Sequence, residues 1–159
     1  MFKKITYLLF FILLVALFMA CTTKTSNAEM ARQALASFFA ELNAGRYDAV
    51  SYWYGGSYET LAEYNPEVDP DDHTTLWQNG CQINGLQCLT LRTVTFNERT
   101  NNGEYLFTVE FNTPEGELFV LEACCGDNPT TPPQFQFEYR VVKGGNGEFR
   151  VLDMPVYVP

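Results

Sequence analysis

Proton transfer near neutral pH needs a group poised near 7, either a histidine or a carboxylate raised by burial. This 159-residue chain has one histidine, His73. It follows Asp71 and Asp72, whose charges favour its protonated form, and a lone histidine in such a segment assembles no Ser-His-Asp triad. Glu110 and Glu122 fall on the polar parity of alternating runs, where water keeps carboxylates ionised. Asp153, just ahead of Met154-Pro155, is the one acid whose direction the pattern leaves open: it either points into a pocket or caps a turn. Glu63, Glu67, Asp69, Asp71 and Asp72 bring a calcium loop to mind. They lack the alternate spacing, central glycine and terminal glutamate that such a loop requires, so the stretch reads as a solvated acidic loop. No catalytic residue, metal site or cofactor is expected.

Cysteine offers a second chemistry. Beyond Cys21 there are four, Cys81, Cys88, Cys124 and Cys125, with three ways to form two disulfides. Pairing Cys81 with Cys88 closes a short loop but leaves the adjacent Cys124 and Cys125 to a strained vicinal bridge. Crossed pairing avoids that strain, although neighbours in a regular strand face opposite sides. The sequence therefore favours at least one bridge from the 79–88 loop to the Cys124-Cys125 corner. Neither the paired spacing of a four-thiolate zinc site nor the C-x-x-C of a redox motif is present.

These residues must be positioned by a pattern that is clearest near the end of the chain. Runs 104–112, 117–123, 134–142 and 148–154 read as strands, with 89–97 leading into them. Tyr105, Phe107, Val109 and Phe111 alternate with polar residues, as do Phe135, Phe137, Tyr139 and Val141. A sheet with one aromatic face needs a cover. Ser26-Asn27-Ala28-Glu29 has the form of a capping box, and Ala31, Ala34, Leu35, Phe38 and Leu42 follow on one helical face. Gly45 should stop this helix, with a shorter one over 47–54 and one helical turn over 72–78. The expected fold is α+β: N-terminal helices packed on a curved antiparallel sheet of about five strands, with Phe38 meeting Phe137. Tyr47, Trp53, Tyr54 and Trp77 would stand opposite the sheet face that carries Phe107, Phe137 and Tyr139, with Asp153 a further candidate pocket residue. Together they form either core or the lining of a pocket.

The chain opens with Lys3-Lys4 and an apolar run from Ile5 to Ala20. Such a run is short of the roughly 20 residues needed to span a bilayer and matches an export signal over 1–20. Leu17-Phe18-Met19-Ala20-Cys21 resembles a bacterial lipobox, which implies a lipidated Cys21, a tether over 21–27 and a domain over 28–159. Phe18 and Met19 depart from the usual lipobox letters, and a plain secretory signal is the alternative. Loss of residues 1–20 removes two lysines and no acid, taking the formal charge from −9 to about −11. Nucleic acid is excluded as a partner, since phosphate contact needs clustered Lys and Arg.

The stretch 34–50, with Phe38-Phe39, Leu42-Asn43-Ala44-Gly45 and Tyr47-Asp48-Ala49, resembles the opening of NTF2-like, cystatin-like cone domains. Glu138 to Lys143, a glycine turn, and Gly147 to Asp153 are similar to their closing hairpin. The resemblance implies either a non-catalytic module or a small-molecule isomerase, dehydratase or hydrolase with an acid-base residue inside the cone. The first fits better, because only the enzyme demands a buried ionisable group. The expectation is a non-catalytic protein of the bacterial envelope, exported and anchored to a membrane through lipid, which binds a small apolar ligand or an envelope protein.

Overall fold

The computed structural model describes residues 26–122 and 132–158. Cys21, its leader and tether, and the Cys124-Cys125 pair lie outside these residues. Helix α1 (Asn27–Asn43) starts where the sequence places it, with Ser26 Oγ accepting from the Glu29 N–H at 3.2 Å. It ends at Gly45, whose φ of +68° lets the Gly45 and Arg46 N–H groups turn back to the Leu42 and Glu41 carbonyls. Three shorter helices follow: α2 (Tyr47–Trp53), α3 (Glu59–Glu63) and α4 (His73–Gln82). The acidic segment thus holds one helix before it and one after it.

Helix α4 is a full ten residues rather than a single turn. Asp72 caps it by accepting from the Thr75 N–H and hydroxyl at 3.1 and 2.7 Å. It runs on through Asn79 because that amide is bonded to Asn65 and does not compete for its own backbone. It also passes Gly80, where a side chain would press on Leu86 and Leu61.

Among the described residues the sheet has four antiparallel strands in the order β1 (Thr90–Arg99), β2 (Tyr105–Asn112), β3 (Phe137–Lys143) and β4 (Phe149–Val151), where about five are expected from the sequence. Of the run expected over 117–123, the described part, 117–122, makes only isolated bridges from Leu118 to Asn112 and from Leu121 to Gln134. A strand has two edges. β1 takes one edge of β2 along its length and β3 takes the other from Tyr105 to Val109, which leaves only the tip for 117–123. For the same reason β3 begins at Phe137, and Phe135 is 42% exposed.

The alternation holds where pairing is complete. Every odd residue of β2 from Tyr105 to Phe111 is buried, as are Phe137, Tyr139 and Val141 of β3. Helix α1 covers this face with Ala31, Ala34, Leu35, Phe38, Phe39 and Leu42. The α1 ring that meets the aromatic residues of the sheet is Phe39. Phe39 lies edge-on to Phe111 and Tyr139 at 4.8 and 5.1 Å, whereas Phe38 turns to Tyr54 and Trp77 at 5.9 and 5.7 Å. Phe137 packs instead on Phe111 and Phe119.

Candidate functional site

The residues proposed to line a cone interior are divided by the fold. Tyr54, Trp77, Phe107, Phe137 and Tyr139 are all buried, each against at least one neighbouring ring. Trp77 meets Tyr54 and Phe38 edge-on at 5.0 and 5.7 Å, and its indole N–H points at the Tyr58 hydroxyl at 3.3 Å. Desolvation pushes the Tyr54 and Tyr139 phenols well above the usual tyrosine range. Tyr47 and Trp53 are half-buried against the outside of this core.

The acid-base candidates are tied to other work. Asp153 takes Arg140 Nε and Nη2 and also the Arg140 backbone N–H, the last at 2.6 Å. It therefore acts as a clamp where the chain leaves β4, and it raises the Arg140 guanidinium above its ordinary value. Of the two directions open to Asp153, this is the turn-capping one. Glu110 accepts from Gln136 on the wet face, which holds its carboxyl below the usual range, and Glu122 is exposed. His73 opens α4 and stacks flat on Tyr58 with ring centroids 3.6 Å apart. Among the described residues no group of three or more His, Cys, Asp or Glu side chains is arranged to hold a metal ion.

Cys81 is bonded to Cys88, which corrects the expected bridge from the 79–88 loop to the Cys124-Cys125 corner. Two features of the chain bring the pair together. Helix α4 carries Cys81 past Asn79, and Gly85, with φ +88°, then folds the chain back so that the Leu86 N–H reaches the Gly80 carbonyl at 2.9 Å. The Cα atoms of Cys81 and Cys88 end 5.6 Å apart.

This small disulfide loop builds one wall of an open apolar groove of about 230 Å³. The floor is Leu61 of α3, Leu86 of the loop, and Met154 and Pro155 of the C-terminal tail. Tyr64 and Tyr157 rise over it with their rings 11° from parallel and 5.8 Å apart, and they remain 51% and 42% exposed. Thr60 and Asn84 supply the polar ends.

Each wall is fixed by hydrogen bonds at some distance in sequence. Asn65, buried beneath the groove, donates to the Leu61 carbonyl and to Asn84 Oδ1 at 2.7 and 3.0 Å and accepts from Asn79 at 2.9 Å, knitting α3, α4 and the loop. The tail is held by Gln87 N–H to the Val156 carbonyl and Val158 N–H to the Gly85 carbonyl, at 2.7 and 3.0 Å. On the tail's other side a wider hollow of about 350 Å³ opens beside Phe137 and Glu138, again bordered by Met154 and Tyr157.

Sequence reasoning missed this groove. Leu86 and Tyr157 meet through an isolated bridge between segments with no periodicity, and Pro155 in the tail hides its extended character. The exposed Tyr157 in a short apolar tail was the one available signal. No family model, curated protein or solved structure matches the chain.

Proposed function

We propose that the chain is a non-catalytic, lipid-anchored protein of the bacterial envelope whose NTF2-like domain binds an apolar ligand or an envelope protein through the Tyr64-Tyr157 groove. The observation that carries this reading is the contrast between interior aromatics buried in ring-to-ring contacts and an open apolar groove with two exposed tyrosines. A soluble domain rarely leaves two adjacent aromatic rings half in water over an apolar floor without a use for them. The reading draws further support from the lipobox-like Leu17 to Cys21 and from the commitment of Asp153 to Arg140, which removes the best acid-base candidate for an isomerase-like role. The polar tether 22–27 would give the domain reach above the membrane.

The test is fluorescence anisotropy with a labelled hexapeptide, acetylated and amidated, whose central leucine and tryptophan are flanked by serine and glycine. The full chain is held in phosphatidylcholine nanodiscs, and empty discs supply the background. The peptide should bind, and Tyr157→Ser or Tyr64→Ser should weaken it about tenfold, the effect of losing an aromatic anchor. No binding to the folded wild type, or binding indifferent to both substitutions, would overturn the groove as the site.

A further inference from the structure

The charge around the groove narrows what it can hold. Between Arg46 and Arg92 the chain has no lysine or arginine but carries seven acids: Asp48, Glu59, Glu63, Glu67, Asp69, Asp71 and Asp72. All seven are exposed, and none forms an ion pair among the described residues. The ion pairs of the described residues lie on α1, the α1–α2 turn and the β3–β4 region, where the Arg140–Asp153 pair beside Met154 neutralises itself; the α3 wall of the groove comes from a segment with acids and no basic side chain.

Two of these acids lie close in the chain to residues that line the groove. Glu63 stands one turn from Thr60 on α3, immediately before Tyr64. Glu67 sits in the turn closed by the Val68 N–H to the Asn65 carbonyl, next to the asparagine that supports Asn84. An acidic edge beside an apolar floor disfavours fatty acids and other anionic amphiphiles and attracts cations at low salt.

Resting on the groove reading above, we propose that the occupant is a segment of an envelope protein partner in which an apolar anchor side chain is flanked by lysines or arginines. The anchor seats on Leu61, Leu86 and Met154 beside the stacked tyrosines. The flanking cations lie over Glu63 and Glu67, and the exposed tyrosine faces offer them cation–π contacts as well. Burial of the anchor supplies most of the affinity, while the rim supplies orientation and rejection of acidic partners.

The experiment compares three hexapeptides that share the leucine-tryptophan centre and differ in flanks: serine-glycine, paired lysines, or paired glutamates. Anisotropy is measured on the full chain in phosphatidylcholine nanodiscs at low and high salt. The lysine peptide should bind about tenfold tighter than the neutral one at low salt, and the glutamate peptide weaker still. The advantage should shrink at high salt and in the Glu63→Gln/Glu67→Gln variant. Because both acids are exposed and unpaired, that variant should fold normally, and the neutral peptide reports whether its groove is intact. Equal binding of the lysine and neutral peptides to a groove that Tyr157→Ser disables overturns the basic partner but leaves the groove. Equal binding of all three peptides, untouched by Tyr157→Ser, overturns the groove itself. Preferential binding of the glutamate peptide, or a lysine advantage that persists in Glu63→Gln/Glu67→Gln, also overturns the proposal.

Discussion

Replacing Phe39 by alanine should damage the domain more than its place in the helix suggests. Its ring is 1% exposed and lies against Phe38, Phe111 and Tyr139 at centroid distances of 5.1, 4.8 and 5.1 Å, so it joins α1 to both central strands. Truncating such a phenylalanine loses its transfer free energy and leaves a cavity that a helix pinned on a sheet cannot close, about 3 to 5 kcal/mol together. Against a total of about 5 to 15 kcal/mol this is a large fraction. With a urea slope of about 2 kcal/mol per molar, the unfolding midpoint should fall by about 1.5 to 2.5 M at unchanged slope. Phe135→Ala is the control. Phe135 has the same sequence parity as Phe137 but lies outside β3 and is 42% exposed, so its loss should cost no more than about 1 kcal/mol. Equal losses at the two positions, or a loss below about 1 kcal/mol at Phe39, would refute the packing argument.

Three further outcomes are expected. In an alkaline titration followed by tyrosinate absorbance, Tyr54 and Tyr139 should stay protonated well past the pH at which free tyrosine ionises, and ionise only as the protein unfolds. Since their folded pKa values are raised, the stability they contribute is complete below about pH 10, the unfolded tyrosine value, and is lost as pH climbs towards the folded values. Exchanging Cys81 and Cys88 together for serine should cost about 2 to 3 kcal/mol in urea unfolding, from loss of a short closed loop, and should weaken peptide binding because Asn84 and Leu86 lose their tether; full affinity in the double variant would contradict the loop's role as a wall. Cys21→Ser should move the domain from the membrane fraction to the soluble one with its urea midpoint unchanged, and mass spectrometry finding an unmodified N-terminus in the wild type would contradict lipidation.

What could be read from the sequence was whatever a single segment decides. Ser26 and Glu29 announce α1, and the alternation from Tyr105 to Phe111 is the burial pattern of a strand paired on both edges. Phe39 was hidden because it sits beside Phe38, and a helical stripe one residue wide has room for only one of them. A helix packed between a sheet and other helices uses both. The 117–123 run has a strand's composition, but its described part finds the edge of β2 already paired with β3 from Tyr105 to Val109, a long-range pairing that composition does not record. The disulfide was misjudged because the length of α4 and the left-handed turn at Gly85, which together bring Cys88 back to Cys81, are invisible in cysteine spacing. The groove needs α3, the disulfide loop and the tail at once, so no one segment displays it.

The central claim is that this domain binds on its outside, at Tyr64 and Tyr157, and not within its aromatic interior. Amide shift mapping of the isotope-labelled protein, titrated with the neutral leucine-tryptophan peptide, tests it most directly. The account predicts shifts confined to residues 60–65, 84–88 and 154–158, with Phe38, Trp77, Phe107 and Tyr139 unmoved. Shifts centred on those four core residues, with Tyr64 and Tyr157 silent, would contradict it.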